Sequence, residues 1–106
     1  MTDKLIVFVT CENQEQAERI AQSVVQDKLA ACVNVLPPIR SCYIWEEKLT
    51  WSDETLLLIK TTSGRFDQLE ERIRALHTYD VPEIIAVPIE DGLAAYVQWI
   101  DRAVGG

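Results

Sequence analysis

The sequence predicts an α+β fold: a βαββαβ sandwich with a long central hairpin and an extra C-terminal helix. Three observations predict it. Short apolar runs rich in β-branched residues, at 5–10, 56–60 and 84–89, read as strands. They alternate with stretches whose apolar residues recur at helical spacing. Between the first helix and the second, residues 30–62 read as one hairpin.

The elements follow in order. Residues 5–10, LIVFVT, form a central strand. Asn13 is an N-cap, with Gln16 three residues on as in a capping box. Ala17, Ile20, Ala21, Val24, Val25 and Lys28 keep helical spacing, leaving Glu18, Arg19 and Gln26 outward, so the helix ends near Lys28. On the first hairpin arm Ala31, Val33 and Val35 alternate with Cys32, Asn34 and Leu36. Pro37-Pro38 cannot donate to a ladder, so the arm bends or bulges there. It resumes at Ile39 and ends near Trp45, with Glu46-Glu47 in the turn. The return arm finishes in a buried central strand at 56–60. Thr62 or Ser63 caps a second helix with Phe66, Leu69, Ile73 and Leu76 as its apolar stripe. Pro82 stops that helix and pushes Val81 to extended geometry. Residues 84–89 are the fourth strand, and Pro88 puts it at an edge. Asp91 caps a third helix carrying Leu93, Val97, Ile100 and Val104, and Gly105-Gly106 is a free end.

Right-handed crossovers turn this order into a split βαβ pair. The first strand and the return arm lie centrally and antiparallel. The first arm and the fourth strand flank them, with both main helices on one face. This is a ferredoxin-like sandwich, and its second face is left bare, which argues for association. The hairpin argues the same. Each arm has about fifteen residues and reaches roughly 50 Å at ~3.3 Å per residue. A compact body of this length is only roughly 35 Å across. The tip, with Tyr43, Ile44, Trp45, Leu49 and Trp51, therefore overhangs, and clustered exposed aromatics mark an interface. An oligomer is expected.

Residues 1–106 read as one domain. Hydrophobic residues make up 48% and charged residues 25%, an ordinary globular mix. Seventeen acidic residues against ten basic ones give a net charge of −7. That opposes nucleic acid and anionic membrane as partners and favours cations. No run reaches the ~20 apolar residues of a membrane span. Met1-Thr2-Asp3-Lys4 leads straight into a strand with no basic-then-apolar signal, and three cysteines without CxxC spacing suit reduced thiols in the cytoplasm.

The topology brings the end of the first strand to the start of the fourth. Cys11 then meets the segment His77-Thr78-Tyr79-Asp80-Val81-Pro82-Glu83. Thiolate, imidazole and carboxylate suit copper, zinc or another divalent cation, so His77, Cys11 and Glu83 are the candidate metal ligands. The structural alternative for His77 is a cap on the second helix, at the end where a cation favours the dipole. Cys32 reads as a small buried hydrophobe and Cys42 as more accessible, and the two lie too far apart along one arm for a disulfide. Lys60 ends an apolar strand and needs a counter-charge; Glu83 of a neighbouring subunit is the natural one, and snorkelling to solvent is the alternative. Tyr96 and Trp99 pack on the sheet or on a neighbour. No nucleophile–base pair and no Gly-rich phosphate loop emerges, so catalysis is not expected.

Four segments, AACVNVLP at 30–37, SCYIWEEKL at 41–49, LLLIKTT at 56–62 and HTYDVPEIIAVPI at 77–89, with YVQWI behind them, resemble the CutA family of divalent-cation tolerance proteins over essentially the whole chain. The resemblance implies a cytoplasmic homotrimer of ferredoxin-like subunits with interlocked hairpins. It implies a role in copper and divalent-metal tolerance, and an architectural likeness to PII signalling trimers. It implies clefts between subunits, whose matching positions here are Cys32, Asn34, Tyr43, Trp45, Lys60, Tyr79 and Glu83. Copper binding in some members is attributed to a first-strand Cys and a His-His pair. Here Val9 stands at the Cys position with Cys11 two residues on, and Leu76-His77 stands at the pair. Direct carry-over thus reaches only His77. Thr78 replaces a common Pro, and Glu47 sits where the hairpin turn often has Gly. An unidentified protein partner, met through the hairpin of a PII-like regulator, is the second functional expectation.

Overall fold

The computed structural model describes residues 3–105, so the readings for Met1, Thr2 and Gly106 lie outside the described residues. The order is β1 (Lys4–Cys11), α1 (Gln14–Gln26), β2 (Cys32–Val35), β3 (Ile39–Trp45), β4 (Lys48–Thr62), a 3-10 turn (Ser63–Arg65), α2 (Phe66–Leu76), β5 (Ile84–Pro88) and α3 (Ala94–Ala103). The sheet runs β2-β4-β1-β5, with β1 and β4 central and every neighbour antiparallel. β5 is an edge, as Pro88 requires.

Alternation along the central pair decides where the core lies. Val7, Val9 and Cys11 of β1 and Leu57 and Ile59 of β4 pack against Ala17, Ile20 and Val24 of α1 and Leu69 and Ile73 of α2. All are fully buried. Each large one contributes about 1.5–3 kcal/mol relative to exposure. The opposite face carries Ile6 and Phe8 with their partners Val87 and Ile85, which are 41% and 55% exposed. α3 covers only one end of it. Ile100 and Val104 pack with Ala31, and Lys4 Nζ meets Asp101 Oδ2 at 2.7 Å.

Local chemistry fixes the helix ends, with some departures from expectation. The Asn13 side chain accepts from Gln16 N, but the Gln16 side chain accepts from Glu12 N rather than from Asn13 N. α1 stops in a Schellman motif: Leu29 N donates to Val24 O and Lys28 N to Val25 O, with Lys28 left-handed at φ 57. Val25 falls outside the buried stripe, at 41% exposure. Neither Thr62 nor Ser63 caps α2 through its side chain, because a 3-10 turn intervenes. Asp91 does not cap α3 either. Its carboxylate accepts from Gly92 N, and the helix starts after Leu93. Tyr96 and Trp99 lie ring to ring at 5.5 Å and stay partly exposed.

The hairpin stretches the molecule to 45 Å along one axis against 25 and 23 Å along the others. Residues 36–38 of the first arm face only two residues of β4, since Val35 pairs with Leu57 and Ile39 with Glu54. Pro37-Pro38 therefore sits in a bulge that inserts one extra residue. At the tip, Trp45 pairs with Lys48, so Glu46-Glu47 is a two-residue loop with φ 49 and 66. Two positive φ values mark a type I′ turn, which ordinarily carries Asn-Gly.

Candidate functional site

The bulge builds the site. One added residue reverses the alternation of everything beyond it. Cys32 and Asn34 pair with Lys60 and Leu58, while Tyr43 and Trp45 pair with Thr50 and Lys48. All of these β4 partners have even numbers and share one face of the strand. Cys32, Asn34, Tyr43, Trp45 and Lys60 consequently look out from the sheet face that α1 and α2 leave uncovered.

Part of this face sinks into a hollow of about 620 Å³. Thr10 of β1, Tyr43 and Trp45 of β3 and Glu54 of β4 line it from the sheet. Tyr79, Asp80, Val81 and Glu83 line it from the loop before β5. That loop is pinned by His77, the C-cap of α2. Its Nδ1 accepts from Tyr79 N at 3.1 Å, and its Nε2 lies 2.7 Å from Thr10 O. An Nδ1 acceptor leaves the ring proton on Nε2, which donates to the carbonyl. The His77 and Tyr79 rings stand 4.7 Å apart. Tyr79 Oη then donates to Glu54 Oε2 at 2.9 Å. Burial first, then the bond and charge of Glu54, hold the Tyr79 phenol above its ordinary pKa, and Glu12 adds to that field.

Charge in the hollow has one sign. Glu54, Asp80 and Glu83 contribute carboxylates, and none of its lining residues is a Lys or Arg. The arrangement can attract and seat a cation against aromatic rings.

The CutA1 divalent ion tolerance protein family matches residues 5–103 of this sequence. The chain belongs to the CutA1 family. Among its relatives, the divalent-cation tolerance protein CutA of Thermus thermophilus is 43% identical over 94% of this chain and 97% of its own. The chloroplastic CutA proteins of Oryza sativa and Arabidopsis thaliana are each 47% identical over 93% of this chain. This chain spans little more than half of those two plant proteins, 56% and 54%. Among solved structures, CutA from Xylella fastidiosa superposes with a TM-score of 0.95 at 40% identity, covering 97% of this chain and 99% of that one. The Thermus protein superposes at 0.93, and a protein titled periplasmic, from Archaeoglobus fulgidus, at 0.92. The fold expected from the CutA resemblance is thus the observed one. No helix of the described residues is long and apolar enough to cross a membrane.

Within this CutA1 chain the three candidate metal ligands are not gathered into one set. The described residues hold no cluster of three or more His, Cys, Asp or Glu side chains placed to share an ion. Cys11 stays at the sheet end where topology put it, but alternation turns its side chain into the core. Burial pushes its thiol up to about 12. His77 spends both ring nitrogens on backbone partners. Glu83 alone reaches the hollow. The cleft positions also divide. Tyr43, Trp45, Tyr79 and Glu83 line the hollow, whereas Cys32, Asn34 and Lys60 lie further along the sheet. Lys60 is level with Ile6, and Glu83 adjoins Ile84, which is level with Val9, so the pair is not joined within one subunit. Glu54 and Thr10 were missed. The even-number face of β4, counted back from Lys60, points to Glu54 once β4 is known to run unbroken.

Proposed function

We propose that this CutA1 protein acts as a cytoplasmic homotrimer in divalent-metal response, copper included, without catalysis, and that it binds a cation or small ligand in clefts between subunits. The single observation that supports this most is the hollow whose walls combine three aromatic rings with three carboxylates and no basic residue. The overhanging hairpin supports association. Ile44, Trp45, Leu49 and Trp51 are 65%, 63%, 68% and 55% exposed in one chain, too much apolar surface for a lone subunit. In the trimer, Cys32, Asn34 and Lys60 of one copy complete the hollow of the next, and Lys60 there meets Glu83. Sedimentation with mass analysis at micromolar concentration tests the assembly; a stable monomer removes the cleft. Cu²⁺ titration of the wild type, Glu83→Gln and His77→Ala tests the cation. Binding weakened by Glu83→Gln supports the hollow as its seat, and binding untouched by either change refutes it.

A second reading is a PII-like regulator that captures a protein partner through the same exposed hairpin. Pull-down with and without copper separates the two, since a partner captured regardless of metal favours regulation.

A further inference from the structure

We propose that the helix-side face of the β3–β4 ribbon docks a second copy of this chain, one that belongs to another trimer, so that trimers join in pairs through antiparallel ribbons. This goes beyond the proposed trimer and rests on it in one respect: the clefts of that trimer draw on the opposite face of the same ribbon.

Alternation separates the two faces. Leu57 and Ile59 present the odd-numbered side of β4 to the helices, and Thr55 is the last buried position on the way to the tip. Beyond it the same side continues through Asp53, Trp51 and Leu49, paired with Arg40, Cys42 and Ile44, and all six are exposed. The even-numbered Thr50, Ser52 and Glu54 are instead half-buried. Tyr43 and Trp45 point to that even side, so a cleft built on them leaves the Trp51 side bare. Trp51, Leu49 and Ile44 there form one apolar patch, which marks an interface.

The order of chemistry along this face selects the occupant. From base to tip it carries a charged row, Arg40 and Asp53, then the apolar rows Cys42–Trp51 and Ile44–Leu49, then the Glu46-Glu47 turn. Successive rows are two residues, roughly 7 Å, apart. A two-fold axis between the apolar rows lays Trp51 of one copy on Ile44 and Leu49 of the other. It also brings Arg40 of each copy to the acidic turn of the other, so the surface is complementary to itself. A parallel stacking would set turn against turn and Arg40 against Arg40. Arg40 is oriented before contact. Its guanidinium stands 5.1 Å from the centre of the Trp51 ring, and its Nε lies 3.2 Å from Asp53 Oδ1. That pair offsets the charge of Asp53, and a planar guanidinium has further donors for a second carboxylate.

The test weighs the intact protein by sedimentation and light scattering from micromolar to millimolar concentration. A reversible equilibrium between the trimer and a species of twice its mass is expected. Trp51→Glu should weaken that pairing at least tenfold and leave the trimer whole. Arg40→Glu should weaken it roughly threefold to tenfold, and adding Glu46→Lys and Glu47→Lys should restore it. Trp51 lies outside the core, so its replacement spares the fold, and thermal melts of every variant verify this. A wild type that stays at trimer mass throughout overturns the proposal and leaves the trimer reading standing. Doubling that Trp51→Glu does not touch also overturns it. So does a Trp51→Glu variant that falls to single chains, because the face would then lie inside the trimer. A wild type of paired single chains that Trp51→Glu separates keeps the ribbon contact and removes the trimer, while lone chains at every concentration overturn both.

Discussion

Tyr79 Oη donates a 2.9 Å hydrogen bond to Glu54 Oε2, and this contact ties the loop after α2 to the middle of β4. The same loop is held to β1 through His77, whose ring bridges Tyr79 N and Thr10 O. Three parts of the sequence therefore share one polar chain along the wall of the hollow. Tyr79→Phe removes the bond and keeps the ring. It should lower unfolding free energy by about 1 kcal/mol, since the pair is partly exposed. Urea unfolding reads the loss. A double-mutant cycle with Glu54→Gln should show coupling of the same order, and zero coupling would mean the bond contributes nothing.

His77→Ala leaves Thr10 O and Tyr79 N without their ring partners. The expected cost is about 1–3 kcal/mol, larger than for an exposed side chain. Thermal melts at fixed protein concentration measure it. A change below the error of the melt would show the ring to be dispensable for the fold.

Cys11 predicts an alkaline weakness. Its thiol ionises near 9.0 in the open chain and is pushed up to about 12 by burial, with Glu54 adding to the shift. Between those values the folded chain keeps a proton that the unfolded chain has lost. Stability is then fully present below pH 9 and falls as pH rises towards 12, by about 1.4 kcal/mol per unit at most. Tyr79 and Tyr96 have raised phenols and act in the same direction. Cys11→Ala isolates the thiol. It should be less stable than wild type at pH 7 and close that gap by pH 12. Parallel curves would contradict the assignment.

Glu46 and Glu47 hold left-handed backbone without being glycine. That costs about 1–2 kcal/mol per residue relative to glycine. Glu47→Gly should therefore raise stability by about 0.5–1 kcal/mol, after the greater freedom of glycine in the unfolded chain is set against it. Denaturant midpoints at one protein concentration decide the sign.

Much of the fold was legible in the residues. LIVFVT and LLLIK announced the central strands because β-branched and apolar runs bounded by turns have few other places to go. Pro88 announced an edge because it lacks a donor. The caps were less legible. Thr62 and Asp91 had the chemistry of a cap, but where a helix starts also depends on the packing of the turn before it. Of the residues lining the hollow, Tyr43, Trp45, Tyr79 and Glu83 had been named from the resemblance. Glu54 had no motif of its own and was not found.

Sequence alone determined the main elements and their order, because periods of 3.6 and 2 are properties of the local backbone. It also determined that the arm must break at Pro37-Pro38, because two residues there have no N–H to give. Tertiary structure decided how many residues the break absorbs. That count is set by how β3 re-registers on β4, across a gap no local pattern spans. It turns Tyr43 and Trp45 onto the face shared with Cys32 and Lys60 rather than away from it. Only the packed sheet also decided that Cys11 faces the core while Glu83 faces the hollow, since nearness along one sheet end says nothing about which side each residue presents.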